Sequence, residues 1–433
     1  MAKIIDKQRY TCALGAINTV HAIDRAIPIL HSGPGCSGKL SSGGGNSGYF
    51  SPNIYPCSSV SEKEVVFGGE NKLRDTIENA LKVIDADLFV VMSGCTSEII
   101  GDDIGKVTKE FQEKGYPIVY ANTPGFKGSN LVGHDWVLTA IFDQYVQPVD
   151  TKEMGLVNLF VSVPYYDPYW LGNLRELEKL LTDIGLKVNT IFGHNRGVEN
   201  LKKVPSAEYN IIVSPWAGLE TVKFLEKKFG TPYLHYPVLP IGAFETSKFL
   251  RKVAEFTNLD TSKVEKVINE REAEFYYYIE RFADTFLEAR AISNRFVVAS
   301  DSVYSLGITK FLVNDMGMFP TKQFILDDTP QQYRQLIIDE FKDLNYGIQA
   351  EVEFSTDGKH VHDEIAKQDF NGTPFIFGSS WEKDIASKLK ANYLNVSYPV
   401  VAKIIMNSYR TGYSGGLHLI EDIYTEALQK LIL

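Results

Sequence analysis

Cysteine is scarce in this 433-residue chain, and its placement is uneven. Cys12, Cys36, Cys57 and Cys95 are the only four, and none follows Cys95. So few thiols in so long a chain exclude a disulfide framework. No C-x2-C pair and no short histidine pair beside a cysteine occurs, which excludes a compact zinc site or a ferredoxin-type run. Long apolar stretches are missing as well. Nothing approaches the roughly 18 residues needed to span a bilayer, and the opening MAKIIDKQRYTCALGAINTV lacks the apolar centre of a secretory signal. A cytoplasmic protein with reduced thiols is expected. Positive charge is also in deficit, with 44 Lys and Arg against 54 Asp and Glu and a net charge of -10. That balance argues against binding to nucleic acid or to an anionic membrane.

What is present is ordinary globular material, 44% hydrophobic and 23% charged, in a chain long enough for two or three domains. Short apolar runs recur as strand candidates: ADLFVVMSG, PIVYANTPG, LVNLFVSVP, KVNTIFG, YNIIVSP, TPYLHYP, NRFVVASDS, KQFILDD, QAEVEFS and TPFIFGSS. Amphipathic segments such as ENKLRDTIENALKVID and TPQQYRQLIIDEFKDL lie between them. This alternation predicts an α/β fold of doubly wound, Rossmann-like domains with parallel sheets, three of them around a central cleft. Breaks near QPVDTKEMG and after the long helical stretch SKVEKVINEREAEFYYYIERFADTFLEAR divide the chain into 1–150, 151–290 and 291–433. Ligands in such sheets sit beyond the carboxyl ends of the strands, where Gly, Ser, Pro and Asp are frequent here.

Two cysteines stand at such ends. Cys36 lies in SGPGCSGKL, and Cys95 follows a strand in VVMSGCTSEIIGDD, both among small neighbours that leave room around sulfur. Cys12, in RYTCALGA, opens a predicted helix, whose end dipole favours a thiolate. Two readings stand open: small buried hydrophobes, or soft ligands converging from distant positions. The stretch HSGPGCSGKL also fits most of a phosphate loop, but Leu40 stands where Ser or Thr would hold Mg²⁺, and the sequence runs on into more glycine than a clear helix.

The same residues carry a resemblance. CALGA, AIPILHSGPGCSGKL, SEKEVVFGGENKL, SGCTSEIIGDDI and ANTPGFKGSNLVGHDWVLTAI are similar, in order and spacing, to landmarks of component 1 of the nitrogenase superfamily. YPVLPIGAFETSKFLRKVAEF, FVVASDSVYSLGITKFLVNDMGMFPTKQFI and TGYSGGLHLIEDIYTEAL extend the resemblance over nearly the whole chain. It implies that Cys12, Cys36 and Cys95 bind an iron–sulfur cluster, of P-cluster-type 8Fe-7S or 4Fe-4S form, shared with a homologous α-type subunit in an α2β2 assembly. It further implies that Ser129 can join the ligands, that Gly33, Gly35 and Gly94 let backbone approach the sulfides, and that the last helix returns to the first domain. Electrons would arrive from an ATP-dependent iron protein, and any nucleotide would be bound there.

Catalytic α-type chains of this family hold a large cofactor through a later cysteine and a histidine. Here no cysteine follows Cys95, and His418 falls on a predicted helix. The resemblance is therefore to a β-type subunit of a nitrogenase or nitrogenase-like reductase; the alternative is a scaffold for cofactor assembly. Other positions carry two readings each. Asp102 and Asp103 are a docking surface or a solvated helix start, and Glu62, Lys63 and Glu64 orient the cluster loops or form an exposed turn. His360 and His362 alternate on a strand or loop, and Asp301 lines a pocket or caps a helix. The aromatic run at 274–282 reads as helix packing, and Cys57 as a small buried thiol.

Overall fold

The computed structural model describes residues 12–43, 55–289, 294–401 and 403–432. The Gly/Ser run beyond Gly43 and the expected boundary at residue 290 lie outside the described residues. The apolar runs form three sheets. The first joins β1 (Ala26–His31), β2 (Leu88–Ser93) and β3 (Ile118–Ala121) in that order. The second contains β4 (Glu153–Phe160), β5 (Lys187–Asn189), β6 (Ala207–Val213) and β7 (Tyr233–Tyr236) in the order β5-β4-β6-β7. The third holds β8 (Arg295–Ser300), β9 (Phe319–Pro320), β10 (Gln323–Ile325), β11 (Val352–Phe354), β12 (Phe375–Gly378) and β13 (Asn392–Asn395). Its order is β11-β10-β8-β12-β13, with β9 on β8.

Among the described residues every strand pairing is parallel, so each connection crosses over, mostly through a helix. The faces of the sheets explain the continuous apolar runs. Leu30, Val90 and Val119 join Val157, Ile211, Phe296 and Val298 in one core that runs through all three sheets. The opposite face of the first sheet, Ile29, Phe89, Val91 and Ile118, is covered by Leu73, Ile77 and Val107 of its own helices. Val297, Ala299 and Phe324 are covered in the same way by Val361, Ile365 and Ile385.

The carboxyl ends of the second and third sheets meet in a polar junction. Tyr304 donates its hydroxyl to Asp167 Oδ1 at 2.5 Å and receives Asn173 Nδ2 at 2.9 Å. Asp301 accepts the Tyr304 amide and so caps the helix Ser302–Asn314, the second of its two readings. Asp327 accepts Ser302 N at 2.9 Å and Trp216 Nε1 at 3.2 Å. All three aspartates are buried.

Three local expectations are corrected. The C-terminal helix Gly412–Ile432 does not lie against the first sheet. It packs on the helices Gly242–Thr257 and Thr261–Ala289 and on β13, because Leu419, Ile420 and Ile423 join the common core there. Gly416 permits this approach, since a Cβ on it would stand 2.6 Å from Gly242 Cα. The stretch from Pro34 to Gly43 is helical despite its three glycines. Gly38 and Lys39 therefore lie in a helix, with only Ser32 and Gly33 between it and β1, too short a link for a phosphate cradle. His360 and His362 lie on the helix Gly358–Lys367, two residues apart and so on different faces. They pair separately, with Glu353 at 2.5 Å and Glu382 at 3.4 Å.

Candidate metal centre at the edge of the first sheet

β1 and β2 run side by side, with His31 opposite Ser93, so the segments that leave them are neighbours. After β1 the chain turns through Ser32 and Gly33 into the helix Pro34–Gly43, whose first turn carries Cys36. After β2, Gly94 leads straight into the helix Cys95–Ile100. The two turns are stitched together. Gly94 N donates to His31 O at 2.9 Å and Ser97 Oγ to the same carbonyl at 2.7 Å. A Cβ on Gly94 would overlap the Ser32 side chain at Oγ and Cβ, so glycine is needed there for Ser32 to pack against the turn. Gly35, by contrast, is exposed and has open space around its Cβ position.

Cys12 arrives from elsewhere in the sequence. It precedes the 3-10 turn Ala13–Ala16, which presses on the helix Asn130–Gln144 at Gly133, where a Cβ would stand 2.6 Å from Ala13 O. The loop after β3 completes the arrangement. A Cβ on Gly125 would stand 2.9 Å from Cys12 Sγ and 3.2 Å from Cys95 Sγ. Two sulfurs separated by most of the first sheet in sequence thus face one point. Thr123 fixes this loop by bonding Ser93 through both its amide and its hydroxyl, at 2.9 and 2.8 Å. Four residues past Gly125, Ser129 stands at the N-cap of Asn130–Gln144 without capping it. Its Oγ is buried and has no hydrogen-bond partner among the described residues. Cys57 is set apart: it bridges Leu30, donates its thiol to Ser32 O at 3.5 Å and receives Ser59 N. It is half-buried rather than buried.

Behind the turns lies a network that sequence reasoning missed. His31 is fully buried; its Nδ1 meets Ser58 Oγ at 2.8 Å and its Nε2 meets Asp102 Oδ2 at 2.9 Å. Asp102 Oδ1 accepts Gly69 N at 2.8 Å. Burial lowers the histidine's pKa, an effect that Asp102 partly opposes. Of the aspartate pair, only Asp103 is the exposed helix start, accepting Lys106 N; Asp102 is turned inward. Glu64 acts locally, closing a capping box with Ser61, whose hydroxyl and amide bring its pKa down to about 2.

The chain's affiliation follows from comparison. Residues 11–428 match the sequence family described as nitrogenase component 1 type oxidoreductases. The chain belongs to this family. Among its relatives in the family, the nitrogenase molybdenum-iron protein beta chain of Azotobacter vinelandii is 23% identical, over 96% of this chain and 83% of that one. A light-independent protochlorophyllide reductase subunit from Angiopteris evecta is 26% identical, over 82% of this chain and 70% of its own. A solved structure of nitrogenase Cp1 at pH 6.5 superposes with a TM-score of 0.83 at 20% identity, covering 100% of this chain and 94% of the other. The doubly wound fold is therefore that of nitrogenase component 1, and the reaction class is oxidation and reduction.

Proposed function

We propose that this chain is the β-type subunit of a nitrogenase-like component 1. In this reading it holds an iron–sulfur cluster through Cys12, Cys36 and Cys95 against a homologous α-type chain. The observation that carries this reading is the convergence of Cys12 and Cys95 on Gly125, with the unpartnered hydroxyl of Ser129 four residues on. The donor set suits the group: soft sulfurs for iron, a buried oxygen without a partner, and glycine where a side chain would part the sulfurs. Bound there, a cluster would take up and release single electrons. The chain's own contribution is to orient the thiols, to bring the amide-lined turns after β1 and β2 close to them, and to leave open space at Gly35 for the partner's half of the site.

Two further features favour a relay subunit over a chain with its own active-site cofactor. The junction of the second and third sheets is filled by Asp167, Tyr304, Asn173 and Arg410. His418 lies within the helix Gly412–Ile432, edge-on to Tyr409 at 5.0 Å. The flank of the site offers an apolar surface for an electron-donating protein: Val66, Phe67, Ile99 and Phe126 are 72%, 81%, 74% and 57% exposed.

The test is iron and acid-labile sulfide per chain, in protein purified without oxygen together with its co-purifying subunit. Several irons in the wild type, largely lost in Cys95→Ala, are expected. Iron-free wild-type protein would overturn the reading.

A further inference from the structure

The buried His31 lies behind the candidate centre, and its bonds reach the segments around it. Its carbonyl receives Gly94 N and Ser97 Oγ, which fixes the start of the Cys95 helix. Its Nδ1 meets Ser58, the neighbour of Cys57. Five residues after it comes Cys36. Its Nε2 meets Asp102, whose amide donates to Ser97 O at 3.1 Å just past the end of the helix Cys95–Ile100. The carboxylate then reaches across to Gly69 N. Gly69 must lack a side chain, because a Cβ would stand 2.5 Å from Asp102 Oδ2 and 3.0 Å from His31 Cε1.

We infer that His31 and Asp102 are positioning residues that clamp the short Cys95 helix at both ends and thereby hold the Cys95 sulfur at the Gly125 point facing Cys12. The start of that helix is held by the His31 carbonyl, its end by Asp102, and the His31–Asp102 bond joins the two. The helix has only six residues, too few to hold its own geometry without tertiary support. A polar network in a buried setting specifies one arrangement when every member is satisfied, and here both ring nitrogens and both carboxylate oxygens are. The use of the clamp rests on the cluster reading above, but the geometry it sets exists without metal.

The experiment therefore uses the metal-free full chain. Dibromobimane bridges neighbouring thiols, and the yield of the Cys12–Cys95 bridged peptide is read by mass mapping. Asp102→Ala should lower that yield several-fold. Asp102→Asn should restore most of it, because the amide can accept from Gly69 N and donate to His31 Nε2. Ser58→Ala, which frees only one side of the ring, should lower it less; this variant decides the matter if Asp102→Ala does not fold. Wild-type yield in both Asp102→Ala and Ser58→Ala, or in Ser58→Ala alone where the other is unfolded, overturns the inference. Iron measured on the co-purified complex separates the two claims. An iron-free wild type sinks the cluster reading and leaves the bridging result standing, whereas a loaded wild type with unchanged bridging in the variants sinks only the clamp.

Discussion

A serine ahead of a helix ordinarily accepts a first-turn backbone N–H on its hydroxyl oxygen, and removing such a cap costs about 1 kcal/mol. Ser129 makes no such bond, and a buried hydroxyl without a partner is a cost rather than a gain. Ser129→Ala should leave the melting temperature of the metal-free chain unchanged or raise it, and a clear fall in thermal denaturation would contradict this. Gly125 makes the opposite case: the Cβ of Gly125→Ala would push on two sulfurs at once. Iron per chain should drop well below wild type while circular dichroism stays the same. The uneven placement of the cysteines was visible in the sequence, and Ser129 was singled out through the resemblance carried by the stretch ANTPGFKGSN. The roles of Gly125 and His31, and the inward turn of Asp102, were not legible, because a glycine's purpose is set by what it faces and the partner of His31 lies 71 positions away.

At the scale of elements, helix–turn contacts set where Cys12 stands. Gly133 lets the 3-10 turn Ala13–Ala16 lie directly on Asn130–Gln144, and a Cβ there would meet backbone, which cannot swing aside. Gly133→Ala should destabilise the chain by about 1–3 kcal/mol, as overpacking does, and displace the Cys12 turn; urea denaturation measures the first and thiol bridging to Cys95 the second. Strands were legible wherever an apolar run is buried on both faces, as for β2 and β6. β13, Asn-Tyr-Leu-Asn at a sheet edge, and the two-residue β9 carry no such run. The helix Pro34–Gly43 forms against the preference of its own glycines, each worth about 1 kcal/mol against a helix. The helix around His360 is so polar that its period was hidden by its charges.

Across the whole molecule, the second and third parallel sheets bring their carboxyl ends together and bury aspartates there. Burial raises Asp301 to about 7, helped by Asp327 and Asp167 nearby and opposed by the Tyr304 amide. An unfolded aspartate titrates near 4. The folded chain therefore holds a proton that the unfolded chain has lost, and the stability Asp301 contributes at low pH is lost as pH rises from about 4 through about 7. Asp301→Asn keeps the cap and removes the titration. It should melt above wild type at pH 8, by a margin that shrinks as the pH falls toward 5. Scans across that range check it, and a constant margin would refute the assignment. Among the described residues, none of Asp167, Asp301 and Asp327 is in an ion pair; each is met by amides, hydroxyls or ring N–H groups. Fixed dipoles are not displaced by dissolved ions, whereas exposed pairs such as Arg25–Asp85 are screened over a Debye length of about 8 Å at physiological ionic strength. The pH slope of the interior should therefore persist in molar salt that silences the surface, so ionic strength becomes a way to hear the junction alone.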